Sequence, residues 1–577
     1  MPITFNMIVD SIRKNILFLL MVLVTLGAVY WMYLQNLYVV QDYNPEAMDI
    51  PLTLGYMDLA KSQGVPAREF MNNSPIFEDT KREDPMSFAY YGKRFEFDLF
   101  VHVAPFLASA YYPFVVLTGV NGITLANYST FFCLMTLVCL FVLVLVMYDK
   151  WSALFSVLFL VSSLAWLIHM KIGYSAWMPS VFVTCLIVLL LYLYQRSGGI
   201  VLLIATGVLF ACLYLTAWIS AVTSFVMITM TLVLAGRGYR KGIFADLFVF
   251  GLSSVCAVLF FVFVYAKFFN CSQYEVYKAL FDVFFMRYSE GGITSFHPSI
   301  SGKLAYAFKC LFVDMIQFDH TDKHFEGGLA VPPVFSVCFI VGLLLMIKNR
   351  SSQDKLILVW LVSVFCIVGY LYLYAHRYGL LVLPAMAVIA SIGMVKSLRA
   401  IADLKIKYAL SAGAAIWLGF SLLQTHDDYY VGFTLNRRPD FDSDALRGVA
   451  KVATWLKKNY SPVDTLVVLS DRMMFSRTQF LFYTFGYNYH YRYWANYIKP
   501  GATAANVADF EKSLPVQYKN IVFVFSTTLL ADRASGLAIN DFRPFLAAHP
   551  GIRPVMTYNY GDRPPSKIMF EISRGKE

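Results

Sequence analysis

Charge is what this chain has least of. Asp, Glu, Lys and Arg make up 15% of its 577 residues, against about 25% in a soluble globular protein. Hydrophobic residues make up 58%, so most of the surface must meet lipid, which excludes an ordinary water-soluble enzyme. Paired metal-type cysteines are missing too: the nine cysteines include no CxxC, and nothing supports a zinc or thioredoxin-like site. The more polar C-terminal stretch lacks GxGxxG, GxSxG and P-loop spacings, and with them a phosphate cradle or a nucleophile elbow. No repeat relates the two halves of the chain, and charges inside the apolar blocks are nearly absent. A transporter built on inverted repeats, with an ion path at mid-membrane, therefore has little to stand on.

What is present is a series of apolar blocks of about 17–25 residues, the length that crosses a hydrocarbon core of about 30 Å. They run 16–40, 126–148, 151–169, 179–195, 200–217, 219–236, 244–268, 331–348, 356–374, 379–396 and 408–424, eleven in all. The first follows Arg13 and Lys14 and is too long for a signal-peptide core, with Tyr30, Trp31 and Tyr33 placed as an interface belt, so we expect a retained helix. The formal charge of +10 collects in alternate short connections, around Arg13/Lys14, Lys150, Arg196, Arg237/Arg240/Lys241, Lys348/Arg350/Lys355 and Lys396/Arg399/Lys405/Lys407. That is the positive-inside pattern of a multi-pass protein of the inner or plasma membrane and does not point to nucleic acid. It places the acidic loop 41–98, the stretch 270–330 and the C-terminal part outside the cytoplasm. The alternation requires that segment 99–119, with His102, Pro105 and Pro113, lies at the interface without crossing.

From residue 425 onward polar residues return at soluble frequency. Ala445–Asn459 has helical periodicity, and DTLVVLS (464–470) and KNIVFVFS (519–526) read as buried strands. The expected fold is therefore mostly α: a polytopic membrane domain, 1–424, of about eleven spans, followed by an extracytoplasmic α/β domain, 425–577.

Chemistry could sit in DYNPEAMD (42–49), where Asp42, Glu46 and Asp49 bring carboxylates to the membrane surface. There a carboxylate can take a proton from an acceptor hydroxyl, orient it, or hold a divalent cation. Equally, Asp49 could be the N-cap of a helix that ends at Gly64. In AHRYG (375–379), His376, Arg377 and Tyr378 could bind a phosphate bidentately, or the arginine could only snorkel. Lys171 and Tyr174 occupy another outer connection and could reach the same region. The loop 270–330 adds His297, His320, His324 and Glu326. His320 and His324 have helical spacing, but Gly327 and Gly328 argue against a helix, so acceptor binding or plain loop structure suits them better than a metal. No cofactor is expected, and a divalent cation has no further support. Cys271 and Cys310, alone among the cysteines, fall outside the apolar blocks, in one outer loop where a disulfide could form.

This arrangement resembles the GT-C glycosyltransferases, in particular the branch of protein O-mannosyltransferases and bacterial aminoarabinose transferases. Asp49 stands fifteen residues before Gly64, with Leu59, Ala60 and Lys61 between, which resembles the acidic residue that opens the first-loop helix in that family. Ile50 and Pro51 stand where the family's acidic pair would continue, so Asp42, with Glu46 behind it, stays open as the acid. Segment 97–119 is similar to the family's interfacial stretch, and Arg377, Tyr378 and Pro384 match its R-Y-x-x-x-x-x-P signature. The resemblance covers about residues 10–424. It implies a polyprenyl-phosphate sugar donor, a lipid, glycan or protein acceptor, and an inverting displacement with Arg377 at the phosphate and Asp49 at the acceptor. A transporter or flippase of a lipid-linked or small substrate, and a non-catalytic assembly protein of the same shape, remain the alternatives. The topology is tested by reporters: one fused after Lys405 should read cytoplasmic and one after Glu577 external, and identical readings would sink the eleven-span arrangement.

Overall fold

The computed structural model describes residues 45–65, 87–90, 93–96, 105–163, 177–235, 242–268, 331–370, 379–403, 448–470, 477–487, 489–498, 501–526, 542–559 and 565–574, with isolated positions between them. Helix α1 (Pro45–Ser62) and a small antiparallel hairpin, β1 (Ser87–Tyr90) with β2 (Lys93–Glu96), precede the membrane helices. Helices α2 (Pro105–Thr118), α3 (Gly122–Met147), α4 (Lys150–Val161), α5 (Trp177–Ser197), α6 (Ile200–Tyr214), α7 (Trp218–Ala235), α8 (Ile243–Phe268), α9 (Pro333–Asn349), α10 (Ser352–Tyr370) and α11 (Leu383–Ala400) follow.

Four helices among the described residues, α3, α5, α8 and α11, are long and apolar enough to cross a membrane. Their outward residues are apolar as lipid contact requires: on α8, Phe244, Phe248, Val255 and Phe260 are exposed. The protein is accordingly a multi-pass membrane protein. Block 200–217 yields a shorter helix than expected, of 15 residues, the first helix of block 151–169 has 12, and blocks 16–40 and 408–424 lie largely outside the described residues. Helix α2 has 14 residues, so at about 1.5 Å per residue it spans roughly 21 Å and falls short of the hydrocarbon core. The corner after it is set by Gly119 (φ 78°) and by Asn121, whose side chain caps α3 by accepting from the amides of Ile123 (2.9 Å) and Thr124 (3.2 Å).

The two ends of the bundle can be told apart by what they hold together. At one end Arg399 pairs with Asp149 at 3.0 Å, and Asp149 also caps α4 through the amides of Trp151 and Ser152. Tyr148 donates to the buried Asp354 at 3.0 Å, and Gln353 donates to Tyr192 at 3.2 Å. The basic connections near 150, 196, 350–355 and 399 therefore meet at one end, as their alternation implied. The other end, about 39 Å away along the 26 residues of α3, holds α1 and α2.

Helix α11 is the centre of the bundle, and residues Leu383–Val395 are all buried. Its Ala385, Ala387, Ala390, Ser391 and Gly393 let neighbours come close. A Cβ at Gly393 would run into the Cys338 carbonyl and the Gly342 backbone, and one at Gly342 into the Ile389 carbonyl. Helices α9 and α11 thus touch backbone to backbone. Just before α11, the carbonyl of Leu381 accepts from the indole of the fully buried Trp360 on α10 at 3.0 Å.

The C-terminal region folds as α12 (Val449–Asn459), β3 (Thr465–Leu469), α13 (Arg477–Tyr483), β4 (His490–Tyr493), α14 (Trp494–Tyr497), α15 (Ala504–Ser513), β5 (Asn520–Ser526), α16 (Arg543–Ala548), β6 (Met556–Asn559) and β7 (Pro565–Ser573). The sheet order is β4-β3-β5-β7-β6. Strand β3 is parallel to both β4 and β5, while β7 is antiparallel to β5 and β6. Every residue of β3 is buried, which explains why its sequence shows no alternation.

Because the α9–α11 contact leaves no space for a side chain, Gly393→Leu should cost roughly 1–3 kcal/mol by overpacking. The expected outcome is a lower melting midpoint of the detergent-solubilised protein, with Val337→Leu, at a site 61% exposed, as the unaffected control.

Candidate active-site helix and its clamp

Helix α1 forms over the segment between Asp49 and Gly64 that reads as helical in the sequence, but it begins earlier. Pro45 occupies the first helical position, where its fixed φ suits the helix and its missing N–H costs nothing. Asp49 consequently lies inside the helix, in its second turn, and is not the N-cap. Its C-terminus is as expected: Gly64 takes a left-handed φ of 70°, the amide of Val65 reaches the carbonyl of Ala60 (3.0 Å) and that of Gly64 the carbonyl of Lys61 (3.0 Å). This is a Schellman ending, which glycine accepts without strain.

One side of α1 is buried through Leu52, Tyr56, Met57 and Ala60, while Asp58 and Lys61 are exposed. Tyr112 on α2 donates to Asp58 at 2.7 Å. Burial, aided by the facing Asp58 carboxylate, pushes the Tyr112 phenol up to about 12, so it remains a donor throughout the physiological range. The Lys61 ammonium sits 3.7 Å above the Phe268 ring at the end of α8, and that ring packs edge-on against Tyr112. Tyr265 donates to the Met57 sulfur at 3.9 Å. Side chains from α2 and α8 therefore fix both the height and the rotation of α1.

The C-terminal region supplies a third support. Phe485, just past α13, packs edge-on against Tyr56 with ring centroids 5.1 Å apart. Gly55 makes this possible, because a Cβ there would stand 2.5 Å from Val120 Cγ2 and 2.7 Å from Phe485 Cζ. The core is continuous across the junction, from Leu52 and Tyr56 on α1 to Phe480 and Phe482 on α13 and Val467 on β3. The C-terminal domain thus sits at the α1 end of the bundle.

Of the residues expected to act, Glu46 and Asp49 lie on the first two turns of α1. Asp42, Lys171, Tyr174, His297, His320, His324, His376, Arg377 and Tyr378 lie outside the described residues, as do Cys271 and Cys310. The seven described cysteines are all free, and among the described residues no group of His, Cys, Asp and Glu could hold a metal ion. Gly55, Asp58, Tyr112 and Phe485 escaped the sequence analysis. A lone glycine inside LTLGYMDL was the available signal, since it costs a helix about 1 kcal/mol unless a close approach requires it.

A bundle of apolar helices, a helical first loop held at one end and an α/β domain resting on it make up a fold that this chain shares with solved structures. The particular likeness is to ArnT from Cupriavidus metallidurans. The structure of that protein bound to undecaprenyl phosphate has a TM-score of 0.54 to this one at 11% identity, covering 96% of this chain and 98% of ArnT. Its apo structure gives 0.51 at 12% identity, covering 95% and 97%. No protein-family description matches the sequence, and no curated protein does.

Two effects oppose each other in Gly55→Ala: helix propensity gains about 1 kcal/mol, while the clash with Val120 and Phe485 costs roughly 1–3 kcal/mol. Since two neighbours must move, the clash should win. The variant is expected to melt lower than wild type, and adding Phe485→Ala should restore part of the loss, giving a non-additive cycle. A more stable Gly55→Ala would show that the approach is not close.

Proposed function

We propose that the protein is a membrane glycosyltransferase that moves a sugar from a polyprenyl-phosphate donor to an acceptor hydroxyl or amine on a lipid, glycan or protein. The supporting observation is the placement of α1. A helix carrying Glu46 and Asp49 in its first two turns is clamped at the end of the bundle opposite the basic connections, in a chain whose fold matches ArnT over 96% of its length. ArnT has been solved with undecaprenyl phosphate bound; a sugar linked to an extended prenyl phosphate is a fitting donor for an active centre that opens to a bilayer.

In this scheme the acceptor attacks the anomeric carbon from the side opposite the lipid phosphate. The bond from that carbon to the phosphate oxygen breaks, its electron pair stays on the phosphate, and the configuration inverts. Asp49 orients the acceptor and takes its proton, with Asp42 the alternative acid in the same loop. Arg377 stabilises the charge that develops on the leaving phosphate, supported by His376, Tyr378, Lys171 and Tyr174. Glu46, His297, His320 and His324 contact the acceptor. The reaction needs no organic cofactor. By the basic-loop alternation the centre and the domain 425–577 face the extracytoplasmic side of the cell membrane, and 1–424 is the membrane domain.

Mass spectrometry of lipids from cells lacking the protein should reveal an accumulating polyprenyl-phosphate sugar, which then serves as donor in vitro. With it, Asp49→Asn keeps the side-chain shape but removes the base, and turnover should fall by about 100-fold or more. Arg377→Ala should weaken donor binding as well as turnover, while Asp42→Asn is the internal control. Loss in Asp42→Asn with retention in Asp49→Asn would move the acid to Asp42, and full activity of all three variants would end the glycosyltransferase proposal at these residues.

A further inference from the structure

One helix of the C-terminal domain has a face that the core leaves uncovered, and the layering of the domain turns that face toward the bilayer. On one side of the sheet the core that joins Val467 and Val524 to α12 and α13 runs on into the membrane bundle. The core on the other side, around Trp494, Phe510 and Phe545, is separate from it. Helices α12 and α13 therefore form the layer between the sheet and the membrane domain. The chain just past α13 rests on α1 through Phe485, and α12 lies beside α13.

Helix α12, VAKVATWLKKN, carries three lysines and no acid. Val449, Val452, Ala453 and Leu456 are its buried side. Away from the sheet, Lys451, Trp455 and Lys458 recur at a spacing of four and three residues and so share one stripe. Both lysines are exposed and the indole is half-buried, packed on Tyr460 at 5.3 Å. At the edge of the stripe the Lys457 ammonium lies 5.4 Å from the centre of the Tyr487 ring, and burial draws its pKa below the usual lysine value. Among the described residues none of the three lysines has an ion-pair partner. The Glu571 carboxylate behind Tyr460 is held by the hydroxyls of Tyr460 (2.6 Å) and Ser573 (3.0 Å).

The height of this corner follows from α3. Val120 and Phe485 flank the same Cα of Gly55, and Val120 stands just before α3, whose 26 residues are more than enough for a hydrocarbon core of about 30 Å. Around Val120, the exposed Val116, Leu117 and Ile123 are apolar as lipid contact requires. Tyr487, two residues past Phe485, and Lys457 beside it thus come close to the level of the lipid head groups.

We propose that the Lys451, Trp455 and Lys458 face of α12, with Lys457 and Tyr487 at its edge, docks on the phosphates of acidic phospholipids in the leaflet at the α1 end. Tryptophan and tyrosine favour that interface, and each lysine near an acidic surface adds about a fivefold preference for it. The docking braces α12, and through α13 and Phe485 it steadies α1 from the bilayer. It concerns lipid contact and stands apart from the transfer reaction, so neither depends on the other.

The test places the full chain in nanodiscs of phosphatidylcholine alone or mixed with phosphatidylglycerol, and follows hydrogen exchange in peptides covering 449–459. Phosphatidylglycerol should slow exchange there by about fivefold or more, and salt at about 0.5 M should remove most of the slowing. The double variant Lys451→Gln, Lys458→Gln should lose the slowing while melting like wild type in detergent, since both side chains are exposed. A benzophenone amino acid placed at the exposed position 454, between the two lysines, should form adducts with phospholipid on illumination. Equal exchange in the two nanodiscs, undiminished slowing in the double variant, or a cross-link at position 454 to polypeptide in place of lipid would overturn the proposal.

Discussion

There is no space for a side chain at position 55, and the α1 end of the molecule is organised around that fact. Gly55 lies where a first-loop helix, the start of a membrane span and the C-terminal domain converge, against Val120 and Phe485. The consequence reaches along α1 in both directions. Tyr56 can pack edge-on against Phe485 only because its neighbour carries no side chain, and with Tyr56 fixed, Asp58 and Lys61 fall opposite Tyr112 and Phe268. A helix so braced cannot roll, and rolling would sweep any carboxylate of its first turns away from a fixed position. In the transfer proposed above two substrates must be held in line, and for that such rigidity matters more than the strength of any one contact.

The opposite end of the bundle solves a different problem. Asp354 is 1% exposed, and a buried carboxylate is costly unless hydrogen-bonded. Tyr148 supplies that bond, and the amide of Asp354 is itself capped by Ser351. Because Asp149 both caps α4 and pairs with Arg399, residues from three connections share one polar layer. Between these two ends, small residues allow backbones to touch, as at Gly342 and Gly393. Lipid offers little hydrophobic drive for helices to associate, so close packing must supply it.

Much of the fold was legible because it rests on local pattern. The continuous apolar runs of β3 and β5, the periodicity of α12 and the glycine that ends α1 are all signals carried within a few residues. What was missed is either polar in composition or long-range. Strand β4, HYRY, has no apolar run, and β7 begins at a proline and carries Lys567 and Glu571. The start of α1 was misplaced by five residues because Asp49 has the residue type of a cap, while Pro45, at the first helical position, was passed over. The candidate site was legible only in part: sequence singled out Glu46 and Asp49, which fall on α1, but not Phe485, since no local pattern links residues some 430 positions apart.

The burial of α11 bears on how the protein is made. Of the four long apolar helices it is the least hydrophobic, with Ser391, Gly393 and Lys396 along it, and it touches little lipid in the finished bundle. Such a segment partitions weakly from an insertion channel into bare bilayer. Its partners α4 and α9 precede it in the chain, so they can already be in place when it emerges. It is therefore well suited to enter a prepared groove. A chain stopped short of residue 383 would leave that groove lined with glycine, serine and exposed carbonyls, a surface that cellular quality control is equipped to recognise.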